Sequence, residues 1–310
     1  MIDATTLDAT MVSLNPATQL ALSGVLAIMM FSVALTLKVS DFAFLLSAPK
    51  MFVGGAAVQI IALPLMSLGL ATLIAPTPSI ALGMIVVACC PGGNVSNLFV
   101  LAAKGNAALS VSLTALSSAL AFIVTPISIL FWAGLYPPTA ELLNQINIEA
   151  GPFIFQVAIV MAVPLVIGMG LAHVVPKIAT RIQPVFYAIS LAALATLVVL
   201  GLYGNWALLV ATGAIVLPVA ILHNAAAFGL GAASGRLLRI DAPSRRALTF
   251  EIGIQNAGLG LVILLSQFHG LGGAAAITAV WAIWHLIAGS VLATGFRTYD
   301  RLTQPKGTPP

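Results

Sequence analysis

The chain is short of charge, and of acid above all. Charged residues make up 6% of the 310, and only eight are acidic. A soluble domain carries about 25% charged residues, so an ordinary water-exposed globular fold is excluded. The twelve basic residues all lie outside the apolar runs. They are scattered through short connections, so the sequence pI of about 9.3 does not indicate a nucleic-acid partner. Cysteine is scarce: Cys89 and Cys90 stand side by side. Neighbouring residues rarely meet disulfide geometry, so this pair says nothing about redox compartment and reads as small packing residues. The first 17 residues hold no Lys or Arg and no apolar core, and so do not read as a signal peptide. Metal-ligand spacings, a phosphate-binding loop and a hydrolase elbow are missing as well.

What the sequence has is apolar length. It is 60% hydrophobic with a mean hydropathy of +1.11. Spanning a bilayer takes about 20 apolar residues. Nine runs meet that: 18–37, 51–74, 79–102, 107–134, 152–173, 184–203, 206–233, 247–268 and 273–296. The longest polar connection, 135–151, separates four runs from five. The reading is an all-α polytopic membrane protein of nine transmembrane helices, forming one transmembrane unit over residues 1–310.

The basic residues orient it. Lys38, Lys50, Lys104, Lys177, Arg181, Arg236, Arg239, Arg245, Arg246, Arg297, Arg301 and Lys306 occupy every second connection and the C-terminal tail, 297–310. If each run crosses once, all twelve lie on one side. Basic loops stay cytoplasmic, so the N-terminus is expected outside and the tail in the cytoplasm. The first four runs, 18–134, then begin inward, and the last four of the 152–296 group begin outward. That predicts two inverted-topology repeats with one extra helix, a common plan of secondary transporters.

In each group the second-last run is interrupted. Residues 86–105 read VVACCPGGNVSNLFVLAAKG. Pro91 removes a backbone donor, Gly92 and Gly93 loosen the chain, and Asn94 can start a new half-helix. Residues 246–260 read RALTFEIGIQNAGLG, with Asn256, Gly258 and Gly260 weakening the helix at depth. Loosened backbone in a bilayer is tolerated where it lines a cavity or is buried in protein. A pair of matched breaks points to a midplane site.

Glu251 lies in the second break. The other acids, Asp3, Asp8, Asp41, Glu141, Glu149, Asp241 and Asp300, fall in polar connections or at the ends. A carboxylate in a bilayer costs roughly 2.5–3.5 kcal/mol on insertion scales, so Glu251 needs a partner. With no basic side chain in any apolar run, a bound cation or a proton remains. Gln255 is one turn on and shares its face. Ser96, Asn97, Ser110, Thr114 and the deep amide Gln59 supply neutral oxygens that suit a hard cation such as Na⁺. A lone hydroxyl in a membrane helix more often bonds its own backbone, so the weight rests on the cluster. His223 and His285 are deep histidines, each a substrate donor, a proton carrier or an interhelical link.

At these motifs the chain resembles the bile acid:sodium symporter family. The likeness rests on CCPGGNVSN (89–97), AAKGNAALSVSLT (102–114), FEIGIQNAGLG (250–260) and WHLIAGSVLAT (284–294). The resemblance implies a core domain and a panel domain, with two sodium sites behind two crossed, broken helices. It implies a first site of Ser96, Asn97, Ser110, Thr114 and Glu251. The second would be Gln59, Glu251 and Gln255 with the carbonyls of Ile252 and Ile254. Asn94, Asn256 and His285 match positions bordering the substrate cavity. Two departures stand out. The count is nine helices, without the first of the ten-helix bacterial pattern, and Leu286 stands where some bacterial members have an Asn. The implied activity is sodium-coupled uptake of an organic anion, bile-acid-like or a smaller monocarboxylate, across a bacterial inner membrane. Na⁺ is the coupling ion, and no cofactor or catalytic residue is implied. The alternative is a sodium–proton antiporter with Glu251 as proton carrier. A membrane enzyme using Cys90 or His285 lacks any base–nucleophile spacing.

Overall fold

The computed structural model describes residues 16–42, 47–204, 206–268 and 270–303. Residues 304–310 of the C-terminal tail and the N-terminal stretch before Pro16 lie outside the described residues. Twelve helices follow in chain order among those residues. They are α1 Pro16–Ala34, α2 Pro49–Ile74, α3 Pro78–Cys89, α4 Val95–Ala102, α5 Ala107–Gly134 and α6 Pro137–Gln145. Then come α7 Ala150–Val174, α8 Pro176–Gly204, α9 Trp206–Leu237, α10 Ala242–Gly253, α11 Ala257–Gln267 and α12 Gly272–Thr303. Six stretches among the described residues are long and apolar enough to cross a membrane, in α2, α5, α7, α8, α9 and α12. Three shorter helices, Leu20–Ala34, Pro78–Cys89 and Ala257–Gln267, are apolar too.

Each apolar run of the sequence thus holds a helix or a broken helix pair. The polar connection 135–151 is not only a loop. Pro137 and Pro138 occupy its first helical turn, where a missing N–H is no loss, and start α6. Thr139 Oγ1 donates to the carbonyls of Ala133 and Tyr136, pinning the turn. The final helix continues past residue 296 to Thr303, into the stretch read as tail.

The helices fall into two packed groups. Helices α1, α7 and α8 contact one another, and this layer meets the rest through α7 on α5 and α1 on α11. In the other group α9 packs on α10 and α12, and α3 packs between α2 and α12. Helix α3 is buried on every side from Ser79 to Cys89, which explains its continuous apolar run. By contrast α7 leaves Phe155, Val163, Val166 and Ile167 exposed. Exposed apolar faces of this extent mark a membrane surface.

Pro64 bends α2 in a useful way. A proline offers no N–H to the carbonyl four residues back, and the chain relaxes into a π-helical turn, Val58–Ala62. The N–H of Leu63 bonds the carbonyl of Val58. The wider turn carries Gln59 into the interior, where it is 4% exposed.

On the side of the basic connections one clamp ties three elements together. Arg246 of α10 donates to the Ala103 carbonyl at 2.6 Å, just past α4, and to Asp300 Oδ2 of α12 at 2.7 Å. Its guanidinium carbon lies 4.9 Å from the centre of the Phe296 ring. Asn106 adds a second tie, its Nδ2 donating to Ser244 Oγ at 3.0 Å. Arg246→Ala is expected to destabilise the protein by about 1–3 kcal/mol, because a carbonyl and a carboxylate lose a charged donor together. Asp300→Asn should cost less, since the Ala103 bond survives. Thermal unfolding in detergent checks the order, and equal losses would mean that the backbone contact contributes nothing.

Candidate functional site

The two interrupted runs meet at their interruptions. Helix α3 stops at Cys89 and α4 starts at Val95; α10 stops at Gly253 and α11 starts at Ala257. Gly92 and Gln255 form an antiparallel bridge. The Gly93 N–H donates to the Ile254 carbonyl at 3.0 Å, and the Asn256 N–H donates to the Pro91 carbonyl at 2.9 Å. An unpaired backbone group costs several kcal/mol in hydrocarbon. Here each break satisfies the other, so neither could persist alone at that depth. Asn224 of α9, fully buried, adds its Nδ2 to the Gly253 carbonyl at 2.8 Å.

Glu251 sits against this crossing and is 0% exposed. Three hydroxyls meet its carboxylate: Ser96 Oγ at 2.7 Å and Ser110 Oγ at 3.1 Å on Oε2, and Thr114 Oγ1 at 2.7 Å on Oε1. Ser110 Oγ also reaches Asn97 Oδ1 at 2.7 Å. The five residues assigned to the first sodium site are therefore in one place. Among the described residues no basic side chain pairs with Glu251; the ion pair found there joins Arg246 and Asp300. Gly92 is required by this arrangement, because a Cβ at that position would overlap Glu251 Oε1.

The residues assigned to the second site are also together. Gln59 Nε2 donates to Gln255 Oε1 at 2.6 Å and to the Cys90 carbonyl at 3.3 Å. Gln255 Nε2 donates to the carbonyls of Glu251 at 3.1 Å and Ile252 at 2.9 Å. The Ile254 carbonyl is used in the crossing by Gly93, which leaves it one lone pair. Each hydroxyl, amide and carbonyl of the two clusters retains oxygen lone pairs. Oxygen donors with one carboxylate match a hard cation. No group of three His, Cys, Asp or Glu occurs among the described residues, so a softer transition-metal centre finds no ligand set there.

A cavity of about 490 Å³ adjoins the first cluster, with Thr36, Asp41, Asn94, Asn97, Thr114 and Tyr187 in its wall. Of the three residues assigned to the substrate cavity, Asn94 lies there. Asn256 instead caps α11, its Oδ1 accepting from the Leu259 N–H at 3.1 Å. His285 is not in that wall; its Nδ1 meets the Trp281 carbonyl at 2.8 Å and its ring stacks on Trp281 at 4.8 Å. His223 makes an interhelical link, Nε2 to Ser67 Oγ at 2.6 Å.

The sequence reading did not single out Ser117, Asn224 or Asp41. Ser117 Oγ accepts from the Gly92 N–H at 3.1 Å. Asn224 carried a usable signal, a lone amide inside an apolar run, the same signal that drew attention to Gln59. Asp41 carried none, since a charged residue in a connection is the ordinary case.

Comparison with known proteins identifies the family. Residues 24–212 match the model of the sodium bile acid symporter family. The uncharacterised sodium-dependent transporter YocS of Bacillus subtilis is 33% identical over 269 residues, covering 87% of this chain and 80% of that protein. The "Probable sodium/metabolite cotransporter BASS1, chloroplastic" of Arabidopsis thaliana is 33% identical over 86% of this chain, which spans 64% of the plant protein. The hepatic sodium/bile acid cotransporter of Rattus norvegicus is 28% identical over 94% of this chain and 81% of its own length. The family model and the bacterial relative together establish that this chain belongs to the sodium bile acid symporter family, transporters with Na⁺ as the coupling ion and not enzymes.

Proposed function

We propose that the chain takes up an organic monoanion with two Na⁺ by alternating access. The observation that carries this reading is the fully buried Glu251 carboxylate, held by Ser96, Ser110 and Thr114 beside a cavity. Charge counting over the fully buried groups supports the stoichiometry; Asp41, half-buried in the cavity wall, keeps water contact and stands outside the count. Glu251 contributes −1, two Na⁺ bring the site to +1, and one monoanion brings it to zero. Burying net charge is expensive, so the loaded neutral carrier moves readily. A dicarboxylate would leave −1 behind and be a poor substrate. The first cation takes Ser96, Asn97, Ser110, Thr114 and Glu251. The second takes Gln59, Glu251 and Gln255 with the carbonyls of Ile252 and Ile254. The anion lies in the cavity by Asn94, where the positive end of the α4 helix dipole favours negative charge. Asn256 and His285 reach it only if the cavity reshapes during transport.

In this reading nine helices cross the membrane as two inverted repeats, 18–134 and the last four runs of 152–296. Helices α1, α7 and α8 form the panel and the others the core, which move against each other. The N-terminus is outside and the C-terminus cytoplasmic, in the plasma membrane of a bacterial cell. The cavity lies among the end of α1 and the beginnings of α5 and α8, the side of Lys38, Lys104 and Arg181, and so faces inward.

The test is uptake into proteoliposomes under an imposed Na⁺ gradient, screened over labelled organic anions. Accumulation of a monoanion that collapses without the gradient is the expected result. Proton movement in step with Na⁺, with no organic anion present, would replace this reading with the antiporter.

Gln59→Ala and Gln255→Ala should each weaken sodium binding by about tenfold, close to the 1.4 kcal/mol of one polar contact. The two amides bond each other, so their effects should not add. The double variant is expected to bind sodium no worse than the weaker single. Additive losses in sodium-dependent thermal stabilisation would place the amides in separate roles.

A further inference from the structure

We propose that Asp41 is a way-station for Na⁺, and that the cavity beside it is the cation's path between the Glu251 cluster and the bulk solution. The proposal rests on the reading of that cluster as a sodium site. Asp41 lies in the wall of two cavities. The inner one, about 490 Å³, also has Asn97 and Thr114 in its wall. The outer one, about 520 Å³, is walled by Ser40, Ser47, Ala107 and Ser112. Both include Asp41 and Val111, so these two residues mark the junction. A cation leaving Glu251 past Thr114 and Asn97 enters the inner cavity and meets Asp41 before the outer one.

The chemistry at the junction favours a cation. Asp41 is the one charged side chain among the described residues in either wall. Its Oδ2 accepts the Lys38 backbone N–H at 2.8 Å, which fixes the carboxylate at the end of the short 3-10 turn Val39–Phe42. That bond uses a neutral donor, so the negative charge is held in place and not cancelled. Asp41 is half-buried, neither sealed from water nor free in it. A fixed charge between low-dielectric walls focuses its field along the opening and raises local counter-ion concentration. Asn97, Tyr187 and Thr36 supply neutral oxygens along the same wall. The anion, by the same field, is kept at the Asn94 end. Asp41 therefore separates the two cargoes inside one cavity.

The test needs Na⁺ alone. Proteoliposomes on a solid-supported membrane are given sodium-concentration jumps, and the current transient is recorded. Asp41→Asn should slow the relaxation by about threefold to tenfold, the low end of electrostatic steering. Its amplitude should stay near wild type, because the Glu251 cluster is intact. The slowing should shrink at high ionic strength. Asp41→Cys gives a test made after folding is complete. Labelling it with a negatively charged thiosulfonate should restore the fast relaxation, and a positively charged one should slow it further. The native Cys89 and Cys90 are buried, and unmutated protein treated alike serves as the blank. Equal rates for the two labels would overturn the role of Asp41 and leave the Glu251 site standing. No transient in wild type, or an unchanged one in Glu251→Gln, would overturn the sodium site itself and the path with it.

Discussion

Glu251→Gln is expected to abolish sodium coupling while the protein stays folded. The carboxylate accepts from Ser96 and Ser110 on Oε2 and from Thr114 on Oε1. An amide keeps one oxygen and turns the other position into a donor. Hydroxyls donate and accept, so the serine or threonine facing the new NH₂ rotates and the network closes again. Removing a buried charge also relieves its desolvation. The melting temperature without sodium should therefore hold or rise. Sodium binding should not survive. Both proposed cations share this charge, and charge-assisted contacts are roughly twice as strong as neutral ones. Sodium-driven uptake should fall by about 100-fold or more, the equivalent of roughly 2.7 kcal/mol. Glu251→Asp keeps the charge on a shorter stem and should fall between the two. A Gln variant that Na⁺ stabilises as well as wild type would remove Glu251 from both sites.

Gly92→Ala should be nearly as severe, by a steric route. A Cβ there would overlap Glu251 Oε1 and lie 3.6 Å from Ser117 Oγ. Either the carboxylate leaves Thr114 or the crossing opens, and the Gly92 N–H bond to Ser117 goes with it. Overpacking of this kind costs about 1–3 kcal/mol, and sodium affinity should drop by about 100-fold because the carboxylate is displaced. Gly93→Ala meets the Gln255 carbonyl oxygen at 3.1 Å, a backbone neighbour, and does not touch the carboxylate, so its effect on sodium affinity should be several times smaller. Gly69→Ala, in α2 with open space at that position, should leave transport alone and stabilise the helix by up to about 1 kcal/mol. If all three variants melt and transport alike, the close approach at the crossing has no role in the site.

Much of this was legible in the residue order, for a physical reason. A bilayer penalises every exposed backbone group and every charge, so helix positions are written into hydropathy alone. The span read as 107–134 coincides with α5. The same penalty makes exceptions informative: Glu251, Gln59 and the Pro91–Gly93 sequence each break a local rule, and all three meet at one site. Asn224 breaks it too, and could have been found the same way.

The remainder depended on packing between distant parts of the chain. Pro91 and Asn256 announce two breaks, but only the fold pairs them, through Gly93 on Ile254 and Asn256 on Pro91. Matching motifs assign His285 and Asn256 to the substrate cavity; the structure adds that one bonds the Trp281 carbonyl and the other caps α11. Asp41 read as a loop charge, and became part of a cavity only when the end of α1 came to lie beside α4 and α5. Helix placement answers to the solvent, which acts on each residue where it stands in the chain. The site answers to side chains that meet only after α4, α5 and α10 have packed, and their contacts set where Glu251 finds its partners.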